Sequence, residues 1–433
     1  MSPAVLALII LAIVVFFYVT EWLPIAVTTV LGCLALVWLQ VSPFSVAFSG
    51  FAADTLWLVM GMVMVGAALF ETGLADEMGR SIIKFIGASE KKIILIVYPI
   101  AMLMSAFLNN TSTTATFTPI IKAISAKSKG KVSAKKLLMP LAFVATSGGM
   151  LTLVGSTPPV IVHGLMISLK LPTFGFFEWG YVGLPICIAL IIYSLTIGQA
   201  MAKRMWKDEI AAEANNQIDV VLEHVERPKN KMWLSGLVLA FCIAGFIIQP
   251  QFETNKTFTF TLGTVAITGA MLTVVLRTMS IQRLYELTDW NTFFVLGGAI
   301  GFAAGLDKSG AGKLIADTAI KYVGNSSPFI VFATFCLVGV VLTQMMSNTA
   351  TTAMMAPIGV FVANGLGFSP LPLLMGLATA CAAAYMTPVG TPPNTIVLGP
   401  GKYKFMDYVK MGGLFQLISF IIIITVIPLI WPL

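Results

Sequence analysis

The segment Asn109–Ile120, NNTSTTATFTPI, recurs 238 residues later as Ser347–Ile358, SNTATTAMMAPI, with seven of twelve positions identical. Each copy is followed, 45 and 42 residues after its central Asn110 or Asn348, by a second polar break: GSTPP at Gly155–Pro159 and GTPPN at Gly390–Asn394. Whatever this chain folds into must therefore hold two related units, each interrupted twice by Asn, Ser, Thr, Gly and Pro. The rest is mostly apolar. At 58% hydrophobic and 10% charged, the chain falls far below the roughly 25% charged residues of soluble domains. It is an integral membrane protein. Its net charge of +7 does not argue for nucleic acid, because the basic residues flank apolar runs, where they set orientation in a bilayer.

In the first half, apolar runs occupy 4–20, 24–41 and 54–70, followed by an amphipathic stretch at 73–88. Two half-length runs, 93–108 and 112–126, then meet at the Asn-Asn-Thr tip. A span at 137–168 is interrupted by GSTPP, and another follows at 177–198. The second half has the same series: 232–249, 259–276, 290–306, an amphipathic 310–325, half-runs 328–346 and 350–366, an interrupted 371–397, and 411–431. Runs of 14–18 residues are short for a hydrocarbon core of ~30 Å, so each pair meeting at a polar tip predicts a re-entrant hairpin. Non-helical backbone at that depth is tolerated only where protein buries it or it lines a watery cavity.

The expected fold is an all-α integral membrane protein of two inverted-topology repeats. Each repeat has five transmembrane helices, one re-entrant hairpin and a helix broken at the midplane. The first repeat spans 1–198, with hairpin 93–126 and broken helix 137–168. A charged linker spans 199–231. The second repeat spans 232–433, with hairpin 328–366 and broken helix 371–397. An odd number of crossings per half inverts one half relative to the other. With the linker in the cytoplasm, 21 of the 26 Lys and Arg residues fall on the cytoplasmic side, as the positive-inside rule requires. Both termini are then outside. The first run lacks a basic n-region and a cleavage site, so it reads as a retained span rather than a signal peptide.

A helix that stops inside the membrane exposes N–H groups at its N-terminal end and carbonyls at its C-terminal end. The first attract anions; the second, with Asn, Ser and Thr oxygens, suit a small cation. One pocket built from two tips and two breaks can hold an anion between two cation sites. No Lys, Arg, Asp or Glu lies mid-span, so a carboxylate proton relay or an acidic cation site is poorly supported. The outer hydroxyls Thr113, Thr114, Thr351 and Thr352 are explained by helix packing. His163, eight residues beyond Gly155, is either a proton-sensitive group near the site or a neutral core imidazole. His224 sits in the charged linker. The five cysteines lie in apolar runs without CxxC spacing and predict neither disulfides nor a metal site.

Paired hairpin-tip Ser-Asn-Thr motifs, each followed by a Gly-(Ser/Thr)-Pro-Pro break, resemble the divalent anion/sodium symporter family of di- and tricarboxylate or sulfate transporters. The likeness covers nearly the whole chain. It implies a homodimer in which a transport domain slides like an elevator against a scaffold formed by the early spans of each half. It also implies Na+ as the coupling ion. The first sodium site would use Ser105, Asn109, Asn110 and Gly155; the second would use Thr343, Met346 through its carbonyl, Asn348 and Gly390. Substrate carboxylates would meet Asn110, Thr111, Asn348 and Thr349, with Thr391, Pro392 and Ser156 or Thr157. The first tip departs from the family pattern, with Asn109 where a hydroxyl is usual, and the first break lacks an Asn after its prolines.

The leading expectation is a secondary carrier of small C4-dicarboxylate-type dianions, sodium-coupled, in the cell membrane. Its alternatives are an anion exchanger, a citrate, tartrate or sulfate carrier, and a proton- or arsenite-type antiporter of related architecture. An enzyme is not expected, because the chain has one intramembrane His and no mid-span carboxylates from which to build a hydrolytic centre.

Overall fold

A computed structural model describes the chain apart from residues 75–76, 78–88, 129, 216–227, 253–259 and 324–325. The amphipathic stretch 73–88, much of the linker and His224 thus lie largely or wholly outside the described residues. Those described form helices and turns, with no strand among them. Among the described residues five helices are long and apolar enough to cross a bilayer: Pro3–Thr20, Asp54–Thr72, Lys229–Gln249, Asn348–Leu366 and Phe405–Ile430. Gly180–Leu195 and Ile197–Met205 form a sixth candidate bent by 46°. The start of the charged linker is therefore helical, as is Lys207–Asn215.

Both tips form tight helix-turn-helix hairpins. Tyr98–Phe107, entered through a wider π turn at Ile93–Val97, turns at Leu108–Asn109 into Asn110–Lys127. Pro328–Thr343 turns at Gln344–Ser347 into Asn348–Leu366. The second arms, at 18 and 19 residues, are longer than their apolar runs. Hydropathy stops at Asn-Thr, whereas the helix starts there, because Asn109 and Ser347 act as N-caps. The Asn109 carboxamide accepts the Thr111 N–H at 2.7 Å and the Ser347 hydroxyl accepts the Ala350 N–H at 3.2 Å. Asn and Ser are both strong caps, so the unusual Asn109 does locally what Ser347 does in the second copy.

Both breaks are present. Ala134–Gly148 stops and the helix resumes at Thr157–Ser168; Pro370–Ala382 stops and resumes at Pro392–Leu398. Each restart has prolines at its first positions, where the absent N–H is not missed. Around this group, Asp54–Thr72 packs along Leu262–Val275, and Ile25–Trp38 packs along Trp290–Ser309. The two pairings are the same contact made with the halves exchanged. The first is close because Gly61 has no side chain: a Cβ there would lie 2.4 Å from the Ala266 carbonyl carbon. Small residues at such crossings allow the backbone approach on which membrane packing depends. Thr157–Ser168 packs on Asn348–Leu366, Asp54–Thr72 and Trp290–Ser309, which brings the first break against the second hairpin.

Candidate transport site

With the tips capped, Asn110 and Asn348 are the first residues of their helices, and their amides turn back toward the preceding arm. The Ser105 hydroxyl lies 2.5 Å from Asn110 Oδ1 and 2.7 Å from the Ala145 carbonyl. In the second half the Thr343 hydroxyl lies 2.6 Å from Asn348 Oδ1 and 2.7 Å from the Cys381 carbonyl. The inner atom of the Asn110 amide is also 3.0 Å from the Gly155 carbonyl, and that of Asn348 is 3.0 Å from the Gly390 carbonyl. Each half thus gathers a hydroxyl, an amide and two carbonyls from four segments into one cluster.

The proton count of these clusters decides their chemistry. A hydroxyl has one proton, so it cannot donate to both the amide oxygen and the carbonyl. With Oδ1 inward, four oxygens face one another with a single proton among them. Two arrangements relieve this. A small cation can sit among them, or the amide can turn its Nδ2 inward and donate to the carbonyls. In that orientation Asn110 reaches Gly155 at 3.0 Å and Ala145 at 3.1 Å, and Asn348 reaches Gly390 at 3.0 Å and Cys381 at 3.1 Å. An uncharged hard-oxygen donor set of this kind fits an alkali cation and not a thiolate- or imidazole-seeking metal. Among the described residues no group of His, Cys, Asp and Glu is placed to hold a metal.

The same duplication extends to bonds the sequence did not reveal. The Thr152 hydroxyl donates to the Ala106 carbonyl, and the Thr387 hydroxyl donates to the Gln344 carbonyl at 2.8 Å. Thr114 donates to the Asn110 carbonyl at 2.9 Å and Thr352 to the Asn348 carbonyl at 2.7 Å. In each half a threonine from the break therefore latches the hairpin one residue past its cluster hydroxyl. Nothing in the sequence marks Ala145, Cys381, Thr152 or Thr387 as part of a site. The first two contribute only main-chain oxygen, and no pattern of side chains announces that. Met346 is buried at the second turn, where its N–H bonds to the Leu342 carbonyl at 2.9 Å.

Between the clusters lies a cavity of about 840 Å³. It is lined by Asn109–Ser112, Gly155–Thr157, Ser347–Thr349 and Gly390–Pro393, and so gathers the tips and breaks of both halves. The helices Asn110–Lys127, Thr157–Ser168, Asn348–Leu366 and Pro392–Leu398 all begin at its wall. Thr157 and Thr349 meet across it, hydroxyl to hydroxyl, at 2.8 Å. Ser156, Thr391 and Pro392 line the same wall, and the buried Ser156 hydroxyl has no hydrogen-bond partner among the described residues. Among the described lining residues there is no Lys, Arg or His, and the carboxylates are Glu71 and Asp289. Asp289 caps Trp290–Ser309 by accepting the Thr292 N–H at 3.1 Å. Glu286 and Glu71 accept from Arg283 at 2.9 and 3.4 Å, and these bonds, that to Glu286 foremost, hold the guanidinium above its usual pKa. His163 is buried within Thr157–Ser168, does not line the cavity, and has no partner for Nδ1 among the described residues. All five cysteines are buried free thiols.

A multi-helix membrane fold that folds two polar tips and two broken helices around a shared cavity defines a membrane transporter. Two solved transporter structures share this fold. One is MtrF of Neisseria gonorrhoeae, described as illuminating a class of antimetabolite efflux pumps. Its TM-score is 0.63 at 14% identity, covering 100% of this chain and 95% of that one. The other is the YdaH transporter of Alcanivorax borkumensis, with a TM-score of 0.61 at 14% identity, covering 92% and 90%. The chain belongs to the CitMHS citrate transporter family, whose pattern it matches over residues 15–259 and 252–433. Among curated relatives it is similar to the sodium-dependent dicarboxylate transporter SdcS of Staphylococcus aureus, in several strains. The identity is 27% over 439 residues, covering 96% of this chain and 84% of that protein. These likenesses agree with the divalent anion/sodium symporter family inferred from the motifs.

Proposed function

We propose that the protein carries small dicarboxylate dianions across the cell membrane, coupled to Na+. The observation that carries this is the pair of matching oxygen clusters on either side of a cavity ringed by helix starts. Each N-terminal end presents roughly half a positive charge, and Thr111, Thr157, Thr349 and Thr391 add hydroxyl donors. Asn110 and Asn348 stand between the two kinds of site. With Oδ1 turned into its cluster toward a cation, each amide leaves Nδ2 free to face the anion. The cation sites so formed are Ser105, Asn110 and Gly155 with Ala145, and Thr343, Asn348 and Gly390 with Cys381. Asn109 contributes by capping its tip, and Met346 by shaping its turn. Two bound sodium ions neutralise a dianion held by uncharged groups, so neither charge need cross the membrane alone.

The sodium dependence in the name of the relative SdcS supports the choice of ion, and its dicarboxylate substrate supports the size of the anion. The moving body in this proposal comprises the hairpins, the broken spans and the final span of each half, within a homodimer. The crosswise helix pairs Asp54–Thr72 with Leu262–Val275 and Ile25–Trp38 with Trp290–Ser309 form the scaffold. Their mutual packing, more extensive than their packing on Thr157–Ser168, supports that division. With the 199–231 linker cytoplasmic and both termini outside, the cavity end at Glu71, Leu287 and Asp289 faces the cytoplasm. The arrangement is then inward-facing.

Uptake of labelled succinate into proteoliposomes tests this directly. An inward sodium gradient should drive accumulation, replacement by choline should abolish it, and unlabelled malate or fumarate should compete. Uptake indifferent to sodium but dependent on internal anion would instead establish an exchanger. Citrate, tartrate or sulfate competing better than the C4 acids would reassign the substrate.

A further inference from the structure

The two breaks are not held in the same way. In the first, the non-helical stretch supports itself by short turns: the Gly149, Met150 and Leu151 N–H groups bond to Ala145, Ser147 and Gly148 carbonyls, and Leu153 bonds to Phe176. In the second, the stretch between Ala382 and Pro392 is held by side-chain amides. Gln344 Nε2 lies 3.3 Å from the Ala383 carbonyl and 3.1 Å from that of Val340, while its Oε1 accepts the Met386 N–H at 2.9 Å. Gln416 Oε1 accepts the Tyr385 N–H at 3.3 Å and faces Gln344 Nε2 at 3.3 Å. Asn394 donates to the Ala384 and Thr387 carbonyls at 3.0 and 2.8 Å.

Gln344 follows Thr343 directly; its counterpart 238 residues earlier is Ala106, which has no polar side chain. Gln416 stands in the interior of Phe405–Ile430, an otherwise strongly apolar helix, and is only 3% exposed. A polar side chain there is expensive unless it serves a purpose. Its purpose is visible in the backbone it meets. Ala383, Tyr385 and Met386 lie between Cys381 and Gly390, the two residues whose carbonyls complete the second cluster. Without the two glutamines, the buried Tyr385 N–H and the half-buried Met386 N–H would lose their partners, and the segment joining those carbonyls would lose its anchors.

We infer that Gln344 and Gln416 are positioning residues for the second cation site, setting its sodium affinity independently of the first. The inference rests on the sodium-coupled function proposed above. The test is the sodium concentration for half-maximal succinate uptake, measured beside the succinate KM at saturating sodium. Loss of one such hydrogen bond, worth about 1 kcal/mol, corresponds to a three- to tenfold rise in half-saturating sodium for Gln416→Leu. Gln344→Leu should give a similar shift, and the double variant less than the product of the two, because both act on one segment. The succinate KM at saturating sodium should stay within twofold. If Gln416→Leu fails to fold, Gln416→Asn, whose shorter side chain withdraws the acceptor while keeping an amide, serves in its place. An unshifted sodium dependence in the folded variants, or a parallel change in succinate KM, overturns the positioning role alone. Uptake by the unaltered protein that ignores sodium overturns both this role and the function on which it rests.

Discussion

Replacing Gly149 by Ala probes the first cation cluster with a single methyl group. Gly149 closes Ala134–Gly148 with φ −63° and ψ −11°, right-handed helical values that alanine adopts freely. Backbone strain therefore plays no part, and only the added carbon matters. That carbon would stand 2.5 Å from Asn110 Oδ1, 2.7 Å from Nδ2 and 2.9 Å from the Gly155 carbonyl oxygen. Ordinary contact needs roughly 3.5 Å, so the amide or the break must retreat by about 1 Å. Overpacking of this kind costs about 1–3 kcal/mol. Without an ion the amide can retreat at the expense of its bonds to the Ala145 and Gly155 carbonyls, so folding should suffer less than ion binding. With an ion bound it must occupy the place the methyl group contests. The cost should therefore fall on sodium affinity, raising half-saturating sodium by about 5- to 150-fold, with a melting temperature near that of the parent. Gly399→Ala, which would meet nothing within 4 Å, is the matched control. Sodium-dependent uptake in proteoliposomes and thermal unfolding with and without sodium measure the two effects. A folded Gly149→Ala protein with unchanged sodium dependence would refute the assignment of this cluster to a cation.

Further outcomes follow from the same geometry. Asn110→Ala and Asn348→Ala should each abolish succinate uptake while leaving the protein monodisperse in detergent, since each removes an ion ligand and an anion donor together. Thr387→Val removes the donor to the Gln344 carbonyl and the acceptor of the Gly390 N–H, bonded at 2.8 and 3.0 Å; it should weaken sodium binding about tenfold. Lys135 is buried, donates to the Lys402 carbonyl at 3.0 Å, and lies 5.6 and 5.7 Å from the Trp206 and Tyr403 ring centres. Lys135→Met should destabilise the fold by about 2–3 kcal/mol, seen as a lower melting temperature with unchanged half-saturating sodium.

Much of this architecture was legible in the residues because it is written in side chains. The repeated Asn-Thr tips and the Gly-(Ser/Thr)-Pro-Pro breaks locate the four interruptions, and the helices stop and restart there. The hydropathy boundary failed at the tips for a physical reason. Asn110–Thr114 is polar yet helical, and a scale that scores transfer to oil does not register a capped first turn. The same scale does not register the polar helices Ile197–Met205 and Lys207–Asn215 at the start of the charged linker. The cluster side chains Ser105, Asn110, Thr343 and Asn348 could be named in advance, and they do converge. The carbonyls of Ala145 and Cys381 could not be, since main-chain oxygen carries no residue signature. Gln344 and Gln416 stand out as amides in apolar runs, but what they hold is visible only once the backbone is folded.

The choice of asparagine over aspartate at both tips has a thermodynamic logic. A carrier must cross the membrane loaded and return empty, or it dissipates the gradient it uses. A carboxylate among the oxygens of Ser105, Ala145 and Gly155 would bind sodium more tightly. Once the ion left, however, it would remain as a buried unpaired charge, costing several kcal/mol. An amide avoids both extremes. Turned one way it offers an oxygen to the ion; turned the other, its N–H₂ donates to carbonyls 3.0 and 3.1 Å away and leaves no charge behind. In the proposed scheme the empty and loaded sites are then both satisfied, and the net charge of the moving body is set by its cargo alone. Two sodium ions and a dianion sum to zero, so transport should be electroneutral. The measurement is succinate accumulation at imposed potassium-diffusion potentials. One uncompensated charge is worth about 2.3 kcal/mol per 100 mV, about a fiftyfold change in accumulation, so a potential-dependent gradient of that size would demand a third ion and defeat the two-cluster scheme.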